Sequence, residues 1–250
     1  MLDSSIQISD VSVRFRVFDD RGKSLKEQFA SVLAQKHASS KKEFWALKNI
    51  NLTISKGERV GIVGHNGAGK STLLKTICRI YEPSSGTIKV TGRVAPLLEI
   101  GAGFQPEMSG RMNIYLNGAI LGYPKSVLKE IESEIITFTD LGEFIDMPVK
   151  YYSTGMYMKL AFAIATAVRP DILILDELFA GGDVEFIERA QSRMQTFVDQ
   201  SSILVFVSHQ ASLIEKLCNR VVWMDHGAPI MDGEATKVLN CYLSSSKGKT

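Results

Sequence analysis

Few cysteines and no long apolar run limit what this chain of 250 residues can be. Cys78, Cys218 and Cys241 are scattered without a C-x-x-C spacing, which argues against a disulfide framework or a cysteine metal cage and indicates a reducing compartment. The longest apolar runs, such as residues 160–168 and 203–207, are far shorter than the about 20 residues that span a bilayer. The N-terminus also lacks the basic and apolar regions of a secretory signal. We therefore expect a chain that crosses no membrane by itself.

The chain also has no large excess of positive or negative charge. The chain has 29 basic and 27 acidic residues, a formal net charge of +2. This balance gives no overall field that would favour nucleic acid, so no nucleic-acid partner is expected. With 45% hydrophobic and 22% charged residues, the composition is that of a globular protein and excludes a disordered, collagen-like or coiled-coil chain.

Alternating strand and helix patterns predict an α/β fold with a mostly parallel sheet. Residues 6–15 alternate apolar and polar side chains, as a half-buried strand does, whereas residues 172–175 and 203–207 are continuously apolar. Two or three helical patterns follow one another between about 105 and 168 and predict an inserted helical subdomain. We expect a single domain over residues 1–243 and a disordered tail over residues 244–250.

A phosphate-binding loop is the strongest motif. Residues 64–72 match the pattern G-x-x-x-x-G-K-[ST] in full, between an apolar strand at 60–63 and a predicted helix at 70–81. Glycines let backbone N–H groups turn toward the α- and β-phosphates of a nucleotide, and the helix N-terminus adds its positive dipole end. Lys70 is expected to bridge the β- and γ-phosphates, and the Ser71 hydroxyl to ligate Mg²⁺. The predicted phosphate-binding residues are Gly64, His65, Asn66, Gly67, Ala68, Gly69, Lys70, Ser71 and Thr72.

Polar side chains follow two of the apolar strands and complete a nucleotide-hydrolysing site. Asp176 ends the strand at 172–175 and is expected to hold Mg²⁺, while the adjacent Glu177 is expected to act as general base for the attacking water. His209 follows the strand at 203–207. Because active sites of such sheets lie at the carboxyl ends of the strands, His209 is expected to contact the γ-phosphate or order the water.

These motifs in this order resemble the ATP-binding cassette (ABC) ATPases, over residues 6 to about 230. Residues 64–71 resemble the Walker A motif, residues 172–177 the Walker B motif, and His209 the switch histidine. Asp183 is similar to the D-loop aspartate. The resemblance implies ATP and Mg²⁺ as cofactors, an N-terminal antiparallel β part beside the parallel sheet, and function as a homodimer.

The signature loop of that family, L-S-G-G-Q, corresponds here to residues 152–156, Tyr-Ser-Thr-Gly-Met. Three of the five positions differ, but the serine and the second glycine are kept. In the family these residues bind the γ-phosphate from across the dimer, which implies that role for Ser153, Thr154 and Gly155. Thr154 in place of glycine makes the approach of a phosphate tighter, so slow hydrolysis is expected.

The sequence leaves two further family positions open. The Q-loop residue corresponds to Glu99 or to Gln105, and a glutamate there cannot donate a hydrogen bond. The aromatic platform for adenine corresponds to Phe15 at the end of the first strand, with Phe44 and Trp45 as alternatives.

Within the family, residues 94–118 and 152–156 resemble the ATPases of bacterial polysaccharide export, in the form without a C-terminal carbohydrate-binding domain. This resemblance implies a polytopic membrane permease as partner, a lipid-linked polysaccharide as the transported substrate, and a location on the cytoplasmic face of the bacterial inner membrane. Another ABC exporter or importer, or a cytosolic ABC protein outside transport, is the alternative. A plain P-loop kinase or GTPase would lack the signature loop and His209.

A short amphipathic helix is predicted at residues 24–36. Ser24 and Glu27 form a capping-box pattern, and Leu25, Phe29 and Leu33 then fall on one face. The segment is an insertion relative to most ABC ATPases. We expect it to contact the membrane subunit or the inner leaflet, and the alternative is that it packs on the protein's own sheet.

Overall fold

The computed structural model describes residues 3–17, 42–98, 100–176 and 183–247. Four sets of predictions lie outside these residues: the helix at 24–36, the Q-loop candidate Glu99, the general base Glu177 and the end of the tail at residues 248–250. Within the described ranges, no helix combines the length and the hydrophobicity needed to cross a bilayer.

Nine strands and seven α-helices make up the described part of the chain. The strands are β1 (Ser5–Val17), β2 (Lys42–Ser55), β3 (Arg59–Val63), β4 (Ser85–Thr91), β5 (Val94–Leu97), β6 (Ile172–Asp176), β7 (Ile203–Val207), β8 (Arg220–Asp225) and β9 (Ala228–Glu234). The helices are α1 (Lys70–Ile77), α2 (Gly110–Ile120), α3 (Lys125–Thr139), α4 (Thr154–Ala165), α5 (Val184–Gln200), α6 (Ala211–Leu217) and α7 (Ala235–Lys247). Two 3₁₀ turns, Gly142–Asp146 and Val149–Tyr151, separate α3 from α4.

A six-stranded sheet in the order β5-β6-β7-β3-β8-β9 forms the centre of the molecule. Its strands are parallel except for the β8–β9 hairpin. The side chains of β7 are all buried, as expected for a continuously apolar strand that is covered on both faces. The predicted α/β class with a mostly parallel sheet is confirmed. Strand β9 was missed because it contains Pro229 and Gly233, which weaken a strand pattern, and because it lies at the sheet edge.

A second, antiparallel sheet of three strands, in the order β2-β1-β4, packs against the first. One buried apolar cluster joins the two sheets and includes Ile6, Leu47, Val60, Leu73 and Ile174. This arrangement confirms the expected antiparallel β part. It also brings β2 alongside α1, so the antiparallel sheet forms one wall of the region around the phosphate-binding loop.

The helical subdomain has an apolar core of its own, which includes Ile114, Ile135, Leu141 and Leu160. Helix α4 begins at Thr154. Ser153 is the reason, because its hydroxyl oxygen accepts a hydrogen bond from the Met156 N–H at 3.2 Å and caps the helix. The signature residues therefore occupy the N-terminus of this helix.

The last helix, α7, continues to Lys247, past the point where the disordered tail was predicted to begin. Residues 244–247 are helical, and only residues 248–250 of the predicted tail lie outside the described part of the chain. The Ser244 hydroxyl donates a hydrogen bond to the carbonyl oxygen of Asn240, one helical turn earlier, as a serine within a helix does. The prediction for residues 244–247 was wrong.

Candidate functional site

The phosphate-binding loop connects β3 to α1, as predicted. Its glycines take left-handed backbone conformations, with φ of 83° at Gly67 and 100° at Gly69. A Cβ at Gly69 would lie 2.7 Å from the carbonyl oxygen of Ala46, and one at Gly64 would lie 2.3 Å from that of Met224. A side chain at either position would clash with a backbone carbonyl oxygen, so only glycine fits there. The glycines therefore keep the loop backbone tight against β2 and β8.

Lys70 lies beneath this loop with 7% of its surface exposed. Its Nζ donates to the carbonyl oxygens of Gly64 at 2.8 Å and His65 at 3.1 Å. A lysine ammonium is costly to bury unless such acceptors surround it. The loop's own carbonyls thus hold the cation at the place where nucleotide phosphates are expected.

Asp176 lies at the carboxyl end of β6, beside Val207 at the end of β7. Its Oδ2 accepts a hydrogen bond from the Ser71 hydroxyl at 3.1 Å. A hydroxyl and a carboxylate at this separation form an oxygen donor set that suits Mg²⁺, which also keeps waters and takes phosphate oxygens as further ligands. The two residues predicted to hold the metal are therefore neighbours, although 105 positions separate them in the sequence.

Residues predicted to bind the nucleotide surround one cavity of about 500 Å³. Loop residues, Asp176 and His209 line it together. The complete lining is Phe44, Ala46, Asn66, Gly67, Gly69, Lys70, Ser71, Thr72, Leu98, Asp176, Val207 and His209. A strand end, the phosphate-binding loop and a histidine thus meet around one space, where they can bind phosphates, a metal and a water.

The signature residues lie elsewhere. Among the described residues that line the cavity, none belongs to the segment 153–155. Ser153 and Thr154 are exposed at the N-terminus of α4. The structure therefore does not bring the signature loop and the phosphate-binding loop of the same chain together.

Asp183, the predicted D-loop aspartate, caps α5 by accepting a hydrogen bond from the Phe186 N–H at 2.9 Å. It also pairs with Lys159 of α4 at 2.5 Å. The hydrogen bond from Lys159, followed by that from the Phe186 backbone, lowers the pKa of the Asp183 carboxyl. Sequence reasoning missed Lys159. The available signal was a single cation within the almost wholly apolar helix α4.

The one Q-loop candidate within the described residues, Gln105, is exposed and does not line the cavity. Its backbone N–H donates to the Asn113 side chain at 2.8 Å, and the Asn113 amide donates back to its carbonyl oxygen. Asn113 thereby anchors the backbone of this loop onto α2.

Phe15, the first choice for the adenine platform, is not among the described residues that line the cavity. Its ring meets Tyr81 edge-on at 5.3 Å and packs on the main apolar core. Phe44, its cross-strand neighbour, lines the cavity and is 56% exposed. Trp45 instead faces the Arg14 guanidinium, 5.3 Å from its ring centre. The geometry therefore favours Phe44, an alternative, over Phe15.

The site geometry agrees with the comparison against known families. The model of the family described as ABC transporter matches residues 47–180, which contain the phosphate-binding loop and Asp176. The chain belongs to the ABC transporter family. This membership confirms the family resemblance drawn from the motifs.

Several curated relatives are named as O-antigen or teichoic acids export ATP-binding proteins. An O-antigen export ATP-binding protein, RfbB of Myxococcus xanthus, is 50% identical over 193 residues, which are 77% of this chain and 44% of that protein. RfbB of Klebsiella pneumoniae is 37% identical over 95% of this chain and 96% of its own length. The teichoic acids export protein TagH of Lactiplantibacillus plantarum is 39% identical over 82% of this chain and 56% of its own length. The chain thus spans about half the length of some relatives and nearly all of others.

Solved ABC structures share the fold. The ATP-binding subunit of an ABC transporter aligns with a TM-score of 0.67 at 20% identity, over 95% of this chain and 92% of that one. A dimeric ATP-binding cassette bound to ADP and phosphate aligns with a TM-score of 0.65 at 18% identity, over 92% and 98% of the two chains. At these identities the likeness establishes the fold.

Proposed function

We propose that this ABC protein binds and hydrolyses ATP to drive the export of a lipid-linked polysaccharide. The observation that carries the first half is the cavity in which Lys70, Asp176 and His209 meet. Each supplies one requirement of phosphoryl transfer: a cation for the phosphates, an acidic metal ligand, and a polar group near the γ-phosphate.

The proposed roles follow from the chemistry of each group. Backbone N–H groups of residues 64–72 bind the α- and β-phosphates, and Lys70 moves from the loop carbonyls to the β- and γ-phosphates. Ser71 and Asp176 hold Mg²⁺, which when bound neutralises charge on the phosphate oxygens. Glu177, the residue after β6, takes a proton from the attacking water. His209 orients that water or contacts the γ-phosphate.

We further propose that the working unit is a homodimer. Ser153 and Gly155 lie outside their own chain's cavity, so they can complete a nucleotide site only in another copy. A solved cassette of the same fold is dimeric and bound to ADP and phosphate. In the proposed dimer, each ATP lies between residues 64–72 of one protomer and residues 153–155 of the other.

The transported substrate and the membrane partner are proposed from the curated relatives. Proteins named as O-antigen export and teichoic acids export ATP-binding proteins match this chain. We infer a polytopic permease as partner, a lipid-linked glycan as cargo, and a position on the cytoplasmic face of the inner membrane. Closure of the dimer on ATP and its opening after hydrolysis would drive the permease.

Deletion of the gene in its host tests the export role. Lipid-linked glycan should accumulate inside the cell and disappear from the surface, and the wild-type gene should restore export whereas the Glu177→Gln gene should not. Glycan that still reaches the surface at the normal level in the deletion strain would contradict the export role. Purification of the tagged protein from membranes should also recover a polytopic membrane protein.

A further inference from the structure

Two histidines and an aspartate converge beside the phosphate-binding loop. His65 is the second residue of the loop, Asp225 ends β8, and His226 begins the turn to β9. One ligand atom from each residue lies within 4.8 Å of the other two. The Nε2 atom of His65 is 2.6 Å from Oδ1 of Asp225, and that of His226 is 3.9 Å from the same oxygen.

We propose that His65, Asp225 and His226 form a binding site for a divalent transition-metal ion such as Zn²⁺. Two imidazole nitrogens and one carboxylate oxygen are ligands that suit Zn²⁺, Ni²⁺ or Cu²⁺, whereas Mg²⁺ prefers oxygen alone. Three protein ligands leave a fourth position for water. The site is therefore chemically distinct from the pair Ser71 and Asp176.

The orientation of His65 suits metal binding. Its Nδ1 is 2.6 Å from the carbonyl oxygen of Asn66, and its Nε2 faces the Asp225 carboxylate. The Asn66 carbonyl oxygen only accepts, so Nδ1 is the donor in that contact and Nε2 is the nitrogen directed at the Asp225 carboxylate. A metal ion bound at Nε2 leaves the hydrogen bond from Nδ1 to the backbone in place. Such an outer hydrogen bond is the usual support of a metal-bound histidine.

The turn that carries His226 is held firmly by the backbone. His226 and Gly227 both have positive φ, 45° and 82°. Gly227 donates to the carbonyl oxygen of Ala68 at 3.0 Å, and its own carbonyl accepts from the Lys48 N–H at 2.8 Å. These bonds attach the turn to the phosphate-binding loop and to β2. The ligands thus start from a preorganised frame, which favours binding.

For all three ligands to reach one tetrahedral ion, the His226 ring must turn toward Asp225 and the 2.6 Å contact between His65 and Asp225 must widen slightly. Ligand atoms that lie about 2.0–2.1 Å from one tetrahedral ion are closer to one another than the 3.9 Å between Nε2 of His226 and Oδ1 of Asp225. The His226 side chain is 81% exposed and can turn freely toward Asp225. The described residues lining the phosphate cavity do not include these three residues, so the ion and a nucleotide can be bound together.

Calorimetric titration of the metal-stripped full chain with ZnCl₂ tests the site. A Cys241→Ser background removes an exposed thiol that could bind Zn²⁺ itself, and excess Mg²⁺ occupies oxygen sites. We expect one Zn²⁺ per chain, with proton release, in the presence or absence of ADP. His226→Asn keeps a residue suited to positive φ and should weaken binding by at least about tenfold, the scale seen even for outer partners of metal ligands.

Asp225→Asn should weaken Zn²⁺ binding to a similar extent. Asp140→Asn, which changes an exposed aspartate at the end of α3 in the helical subdomain, should leave it unchanged. Circular dichroism melts confirm that each variant is folded. Equal Zn²⁺ affinity in the wild type and in both cluster variants would overturn the proposal, as would the lack of saturable binding. Neither result would bear on ATP hydrolysis, because the two varied residues, Asp225 and His226, do not line the phosphate cavity.

Discussion

Lys159 of α4 and Asp183 at the N-terminus of α5 form an ion pair with an N–O distance of 2.5 Å. The pair connects the helix that begins with the signature residues to the N-terminus of α5. Asp183 also caps its own helix. One carboxylate therefore links α4 of the helical subdomain to the N-terminus of α5.

This pair predicts a pH-dependent contribution to stability. The pKa of Asp183 is lowered below its ordinary value of 3.8, chiefly by the hydrogen bond from Lys159. The ionised Asp183 carboxylate therefore contributes its full stabilisation of the fold above pH 3.8, and this stabilisation is lost as the pH falls through the lowered pKa. Lys159→Met should melt below wild type at neutral pH, and the difference should shrink in acid. Lys150→Met, which breaks an ion pair with Glu107 instead, is the matched control. A difference that is constant with pH would contradict the role of Asp183.

Removal of the proposed general base should separate binding from hydrolysis. Glu177→Gln keeps the side-chain shape but cannot take a proton from water, so hydrolysis should fall by about 10²–10⁴-fold while ATP binding persists. The variant should accumulate as an ATP-bound dimer. Steady-state ATPase assays and size-exclusion chromatography in ATP measure both effects. Glu185→Gln, at an exposed position on α5, is the control. Turnover equal to wild type would transfer the base role to another residue.

Hydrolysis should require signature residues from a second copy. Ser153→Arg should leave ATP binding to the monomer almost unchanged and abolish turnover, whereas Lys70→Ala should impair ATP binding. A mixture of the two variants should regain activity, because one composite site then keeps both wild-type faces. Assays across mixing ratios and protein concentrations measure this complementation. Turnover that depends neither on the mixing ratio nor on the protein concentration would exclude a site shared between two copies.

The two aromatic candidates for the adenine platform should respond differently to truncation. Phe44 is exposed at the cavity, so Phe44→Ala should weaken ATP binding by about 1–3 kcal/mol, the scale of base–aromatic stacking, with little change in melting temperature. Phe15 packs on Tyr81 and the core, so Phe15→Ala should lower the melting temperature and change affinity less. Fluorescent-nucleotide titrations and thermal melts measure both. The opposite pattern would restore Phe15 as the platform.

Local patterns predicted most of the fold. The apolar runs at 172–175 and 203–207 are buried strands because their side chains have no polar face to expose, and the glycines at 64, 67 and 69 require the loop geometry that they have. Strand β9 escaped prediction because its side chains alternate between half-buried and exposed positions at an edge, a pattern that Pro229 and Gly233 obscure further.

Motif spacing alone determined the phosphate-binding loop, its Asp176 partner and the family, because the chemistry of phosphate binding requires those residue types in that order. Only the tertiary structure decided that Phe44 rather than Phe15 faces the cavity, that Lys159 meets Asp183, and that His65 meets Asp225. Each of these contacts depends on strand register or on the docking of one helix against another. Such contacts form between residues that are distant along the chain, and no local pattern encodes which side chains will meet there.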